Sequence, residues 1–240
     1  MESLGSAAAV SLFVAIHLWG GRLTSLVTRR RSAWLSFAGG ISVGYVFLHL
    51  LPEVGQAQAR LEQESAGWPG IGQEVYAAAL LGLVVFYGLE QLAMGSRSRQ
   101  RQGGSNDVTH DWVFAVHAGS FAFYNALVGY LLVHGEQDNR AMYAIAMALH
   151  FLVNDQALRM HHKHRYEHQG RWLLSAALIG GWFAGLRVEL PEIAVHLMVA
   201  LLAGGVILNV LKEELPQERE SRFDAFFGGV LVYTALAALY

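Results

Sequence analysis

Long apolar runs alternate with short polar breaks along the whole chain. Eight runs stand out, at residues 4–27, 33–51, 75–94, 112–133, 141–158, 172–186, 193–211 and 223–240. Most are close to the length of about 20 residues that a helix rising about 1.5 Å per residue needs to cross the hydrocarbon layer. The pattern predicts an all-α membrane protein, one domain over residues 1–240 with eight transmembrane helices. The sixth run is short and is interrupted by Gly180-Gly181. A straight helix, a kinked one and a partly buried one all remain open there.

Composition agrees with lipid as the solvent. Apolar residues make up 54% of the chain and charged ones 15%, against roughly 45–50% and about 25% in soluble domains. There is no cysteine, which excludes disulfides and thiolate metal sites. The start, Met1-Glu2-Ser3, lacks the basic stretch of a cleavable signal peptide, so the first helix is expected to stay.

Charge adds a direction. The first, third, fifth and seventh breaks carry groups such as Arg29-Arg30-Arg31, Arg97 with Arg99, Arg159 with Arg165, and Arg219 with Arg222. Together they hold 14 of the 17 basic residues, while Arg60, Arg140 and Arg187 are spread over the other three breaks. Basic loops stay cytoplasmic, so both termini are expected on the non-cytoplasmic side of a cell or inner membrane. The Gly-, Ser-, Gln- and Arg-rich stretch 95–111 reads as a flexible cytoplasmic loop.

A faint repeat runs through the chain. The second helix carries Ala38-Gly39-Gly40 and ends Leu51-Pro52-Glu53; the seventh carries Ala203-Gly204-Gly205 and ends Leu215-Pro216-Gln217. These two helices run in opposite directions, as an inverted repeat requires. Small residues and terminal prolines are also common in unrelated membrane helices.

The segment AGGISVGYVFLHLLPE, residues 38–53, resembles the second helix of the ZIP family of metal transporters. GLEQL at residues 88–92 is similar to the end of that family's third helix, and AGGVILNVLKEELP at residues 203–216 to its seventh. The resemblance implies a ZIP-like bundle in which helices 1–3 and 6–8 form an inverted repeat around helices 4 and 5. It also implies a transport site between helices four and five, where each carries a motif that opens on His or Gln with a carboxylate four residues on. His117 and His150 match those leading positions. The rest departs, with Ala118, Ser120 and Phe121 in helix four and Phe151, Val153 and Asn154 in helix five standing where the family has Asn, carboxylates and Pro.

The candidate metal ligands are therefore His117, His150, Asn154, Asp155 and His49. His117 is expected at the depth of residue 153, within about two helical turns of His150 and Asn154. His150 and Asn154 share a helix face. Asp155 is the one carboxylate nearby but points away from His150. His49 and Glu53 lie at the outer end of helix two, where the resemblance suggests an entrance and plain capping would serve as well. Glu90 reads as a structural partner near the inner boundary. His161, His162, His164 and His168 fall in a basic loop, either collecting exiting metal or simply solvated.

Imidazoles with an amide or carboxylate suit Zn²⁺ or another first-row dication. The function expected is zinc or other divalent metal transport of the ZIP type, with the metal as cargo rather than cofactor. The alternative is a non-transporting relative whose degenerate metal site serves as sensor or scaffold. No HExxH or similar pattern supports an enzyme. Lipid and the metal ion are the expected partners, nucleic acid is not, and a homodimer is left open.

Overall fold

The computed structural model describes residues 2–27, 33–64, 73–102, 110–134, 140–162, 164–214 and 222–238. The described residues are helical apart from short connections such as 186–191, and they contain no strand. The helices are α1 (Glu2–Val27), α2 (Ala33–Tyr45), α3 (Leu51–Glu64), α4 (Glu74–Gln102), α5 (Asp111–His134), α6 (Arg140–His162), α7 (Arg171–Gly185), α8 (Glu192–Asn209) and α9 (Phe223–Ala237). A π turn, Val46–Leu50, joins α2 to α3; Tyr166–Gly170 leads into α7, and Val210–Glu214 continues α8. Among the described residues four stretches, Ser36–Gln63, Glu74–Arg99, Asp111–His134 and Glu192–Lys212, are long and apolar enough to cross a membrane. Gly5–Gly21 and Phe223–Ala237 are shorter apolar helices.

Several ends differ from those the apolar pattern predicts. Helix two continues through Pro52 to Glu64 instead of stopping at residue 51. A proline within a helix lacks its N–H and clashes with the carbonyl four residues back, here that of Leu48. The π turn just before it widens the ladder, and Leu51 N–H donates to Val46 O, five residues back. The expected loop 95–111 is helical as far as Gln102, and residues 103–109 lie outside the described residues. Buried Ser96 holds the end of that helix in place, because His110 N–H donates to its hydroxyl at 3.0 Å.

The chain divides into two compact units. The first comprises Met1–Ser25, Phe86–Arg140 and Phe151–Glu189; the second comprises Leu26–Val85, Ala141–His150 and Leu190–Tyr240.

In the first unit α5 and α7 cross closely. A Cβ added to Gly129 would collide with Leu178 O, and one added to Gly181 with Ala126 O. Small residues on both sides let the two backbones meet, so Gly181 serves close packing within a continuous helix. Tyr130 Oη and His134 Nε2 donate to Val188 O and Gly185 O, holding carbonyls at the end of α7. Aromatic rings fill the interior: Phe151 meets Phe13 edge-on at 5.1 Å, and Phe86 meets Phe121 at 5.2 Å.

The second unit repeats the device twice. Gly40 of α2 lies on Phe226 O of α9 while Gly229 of α9 lies on Phe37 O; Gly82 of α4 lies on Leu201 O of α8 while Gly204 of α8 lies on Ala79 O. The first turn of α4 is tied to α3, where Gln58 Oε1 accepts from Val75 N–H at 3.0 Å.

Candidate metal centre

Two buried polar clusters occupy the first unit, and both draw on α5 and α6. The first centres on His17 of α1, which is fully buried. Its Nδ1 lies 2.9 and 3.0 Å from the two carboxylate oxygens of Asp155, and its Nε2 lies 2.8 Å from Asn125 Oδ1. Asn125 Nδ2 donates to Phe121 O at 2.8 Å, which turns the amide oxygen toward the imidazole. His17 Nε2–H is therefore a donor to Asn125. On the other side, Nδ1 and the carboxylate share a proton. Whether the pair is imidazolium with carboxylate or imidazole with acid, neither partner is left alone in a medium of low polarity.

The second cluster lies where α6 runs past its expected end. Residues 159–162 continue the helix, so His161 and His162 are buried instead of solvated. His162 Nε2 lies 2.9 Å from His117 Nδ1. The His162 ring also packs edge-on against Phe114 at 5.1 Å.

His161 stands beside this pair, its ring 6.2 Å from that of His117. Arg97 donates to His161 Nδ1 at 3.2 Å, and Glu90 Oε1 lies 3.0 Å from His161 Nε2. A guanidinium can only donate, so Nδ1 is the acceptor and Nε2–H faces the carboxylate. Glu90, in the C-terminal half of α4, thus has a structural partner.

The remaining candidates fall elsewhere. Asn154 is buried in the first unit, and His150 is buried in the second. His49, also in the second unit, shares a 2.8 Å hydrogen bond with Tyr233 Oη. His164 and His168 stack at 3.7 Å on an exposed turn, with His168 Nδ1–H donating to His164 O. Within its own unit the partner of His117 is His162, and that of Asp155 is His17. Among the described residues no three His, Cys, Asp or Glu side chains stand together as a ready metal site.

The His117–His162 nitrogens are close to the separation a shared dication would need, although both rings would have to turn so that their lone pairs converge on the ion instead of on each other. Two nitrogens bound tetrahedrally at about 2.0–2.1 Å would sit about 3.3 Å apart. The existing separation of 2.9 Å would open by about 0.4 Å, and the shared proton would pass to an outer ring nitrogen.

Sequence reasoning missed His17 and Asn125, and placed His162 only in a basic loop, as a collector of exiting metal or a solvated residue. The signal for the first two was present: each is a lone polar group in an apolar run, which in a membrane calls for a partner. No known family model and no characterised protein matches this chain.

Proposed function

We propose that the chain is a multi-pass membrane protein of the ZIP type that binds and carries a divalent first-row metal ion, zinc foremost, between its fourth and fifth spans, α5 and α6. The single observation that carries this reading is the buried His117–His162 pair, two imidazole nitrogens 2.9 Å apart across those two helices. His117 is also a leading position in the family's motif.

Three further features support it. The surface of α4 is apolar and outward-facing, with Leu80, Leu81 and Val84 each more than half exposed, as lipid contact requires. The π turns Val46–Leu50 and Val210–Glu214 each end two residues before a proline, Pro52 and Pro216. The reciprocal glycine crossings α2–α9 and α8–α4 exchange with one another if the second span corresponds to the seventh and the third to the eighth. Both are what an inverted repeat produces.

A non-transporting relative is the second reading. The observation that favours it is the engagement of Asp155 by His17. Two neutral imidazoles leave the charge of a dication uncompensated where a carboxylate would offset it.

Calorimetry and zinc uptake into liposomes of the purified protein separate the two. Low-affinity zinc binding at pH 7.5 is expected, weakening as the pH falls through about 6.5, where free imidazole protonates. It should vanish in His117→Ala/His162→Ala. Binding without uptake would leave the second reading standing. No binding in the parent, or binding unchanged in the double variant, ends the carrier reading.

A further inference from the structure

A cavity of about 460 Å³ opens in the first unit, lined among others by Trp19, Gly21, Arg159, Glu167, Arg171 and Trp172. Its residues come from the C-terminal part of α1, the end of α6 and the start of α7 with the turn Tyr166–Gly170 that leads into it. The loop charges put all three of these ends on the cytoplasmic side.

The charge balance of the cavity is incomplete. Glu167 pairs with Arg159 and lies 3.5 Å from Arg171 Nη1, so one carboxylate is divided between two guanidiniums and the described lining residues carry one net positive charge. Arg171 Nη1 also donates to Leu18 O at 3.3 Å. Its Nε is buried without an acceptor among the described residues. A buried donor of this kind is costly unless something accepts from it.

The aromatic residues set the position. Trp19 and Trp172 are 53% and 55% exposed, and indoles with one apolar and one polar side gather at membrane–water boundaries. Arg171 lies over the Trp172 ring at 5.5 Å and Arg159 over Tyr166 at 5.4 Å, so both cations are held by ring faces. Gly21 has no side chain where the Arg159 guanidinium lies against it.

We propose that this cavity binds the phosphodiester of an anionic phospholipid from the cytoplasmic leaflet. A phosphodiester carries one negative charge, which matches the one uncompensated positive charge, and its unesterified oxygens accept from guanidinium N–H groups. The acyl chains would run along the exposed Trp19 and Trp172 faces. A choline headgroup would bring its own cation into an already positive site. Basic pockets between helices at this depth suit anionic lipid. The inference rests on the membrane reading above but not on metal binding.

The test uses the full chain in neutral detergent, with thermal melting or native mass spectrometry against phosphatidylglycerol, phosphatidylcholine, phosphatidylethanolamine and inorganic phosphate. Phosphatidylglycerol alone should bind and raise the midpoint. Arg171→Gln should weaken that binding about five-fold, and Glu167→Gln, which removes the competing carboxylate, should tighten it about five-fold. Equal binding of choline or ethanolamine lipid overturns the proposal, as does equal stabilisation by free phosphate. Unchanged affinity in Arg171→Gln overturns it too. Should that variant not fold, an affinity in Glu167→Gln that stays level or falls has the same force. A chain that remains soluble without detergent would instead sink the membrane reading itself.

Discussion

His117 Nδ1 on α5 and His162 Nε2 on α6 lie 2.9 Å apart, both side chains buried. One ring donates to the other, so at least one of the two has a lone pair at the contact and is neutral there. The pair is a structural bond between helices, and on the function proposed above it is also where a dication would bind.

The buried His17–Asp155 pair is expected to be the most costly contact to break in the first unit. Replacing His17 by Ala takes away the imidazole that the buried Asp155 carboxyl group faces, and breaking such a pair costs about 3–5 kcal/mol. Removing both polar groups in His17→Leu/Asp155→Leu should recover a large part of that loss. Detergent melting of the single and double variants reads the difference. A double variant less stable than either single one would mean that the pair is not the source of the cost.

Gly180 and Gly181 are neighbours with opposite demands. Nothing lies within 4 Å of a Cβ at Gly180, whereas one at Gly181 strikes the α5 backbone at Ala126 O. Gly180→Ala should be neutral or raise stability by up to about 1 kcal/mol through helix propensity. Gly181→Ala should lower it by about 1–3 kcal/mol through overpacking. Equal effects on the melting midpoint would refute the close crossing of α5 and α7.

Orientation follows from the loop charges. Tags at either terminus, or between residues 63 and 67, should be labelled on intact cells, and a tag between residues 103 and 106 should not. Both internal insertion points fall largely outside the described residues. Labelling of the second tag and not the first would invert the topology.

The positions of most helices were legible from the alternation of apolar runs and polar breaks. That alternation reflects burial or lipid contact along single segments, a local property, and it located the starts of α2, α4, α5 and α9 to within about two residues. His117 was legible too, as a rare polar group in an apolar helix. Its partner was not. His17 is 138 residues from Asp155 in sequence, and His117 is 45 from His162; which face of each helix meets which depends on rotation and crossing, and glycine contacts such as Gly129 on Leu178 O set these only in the folded chain. The same holds for the last turn of α6. Read alone, His161 and His162 look like a solvated basic segment, because histidine is polar. Only with Glu90, Arg97 and His117 packed around them does burial of those imidazoles become favourable, since each ring nitrogen facing the protein then finds a partner.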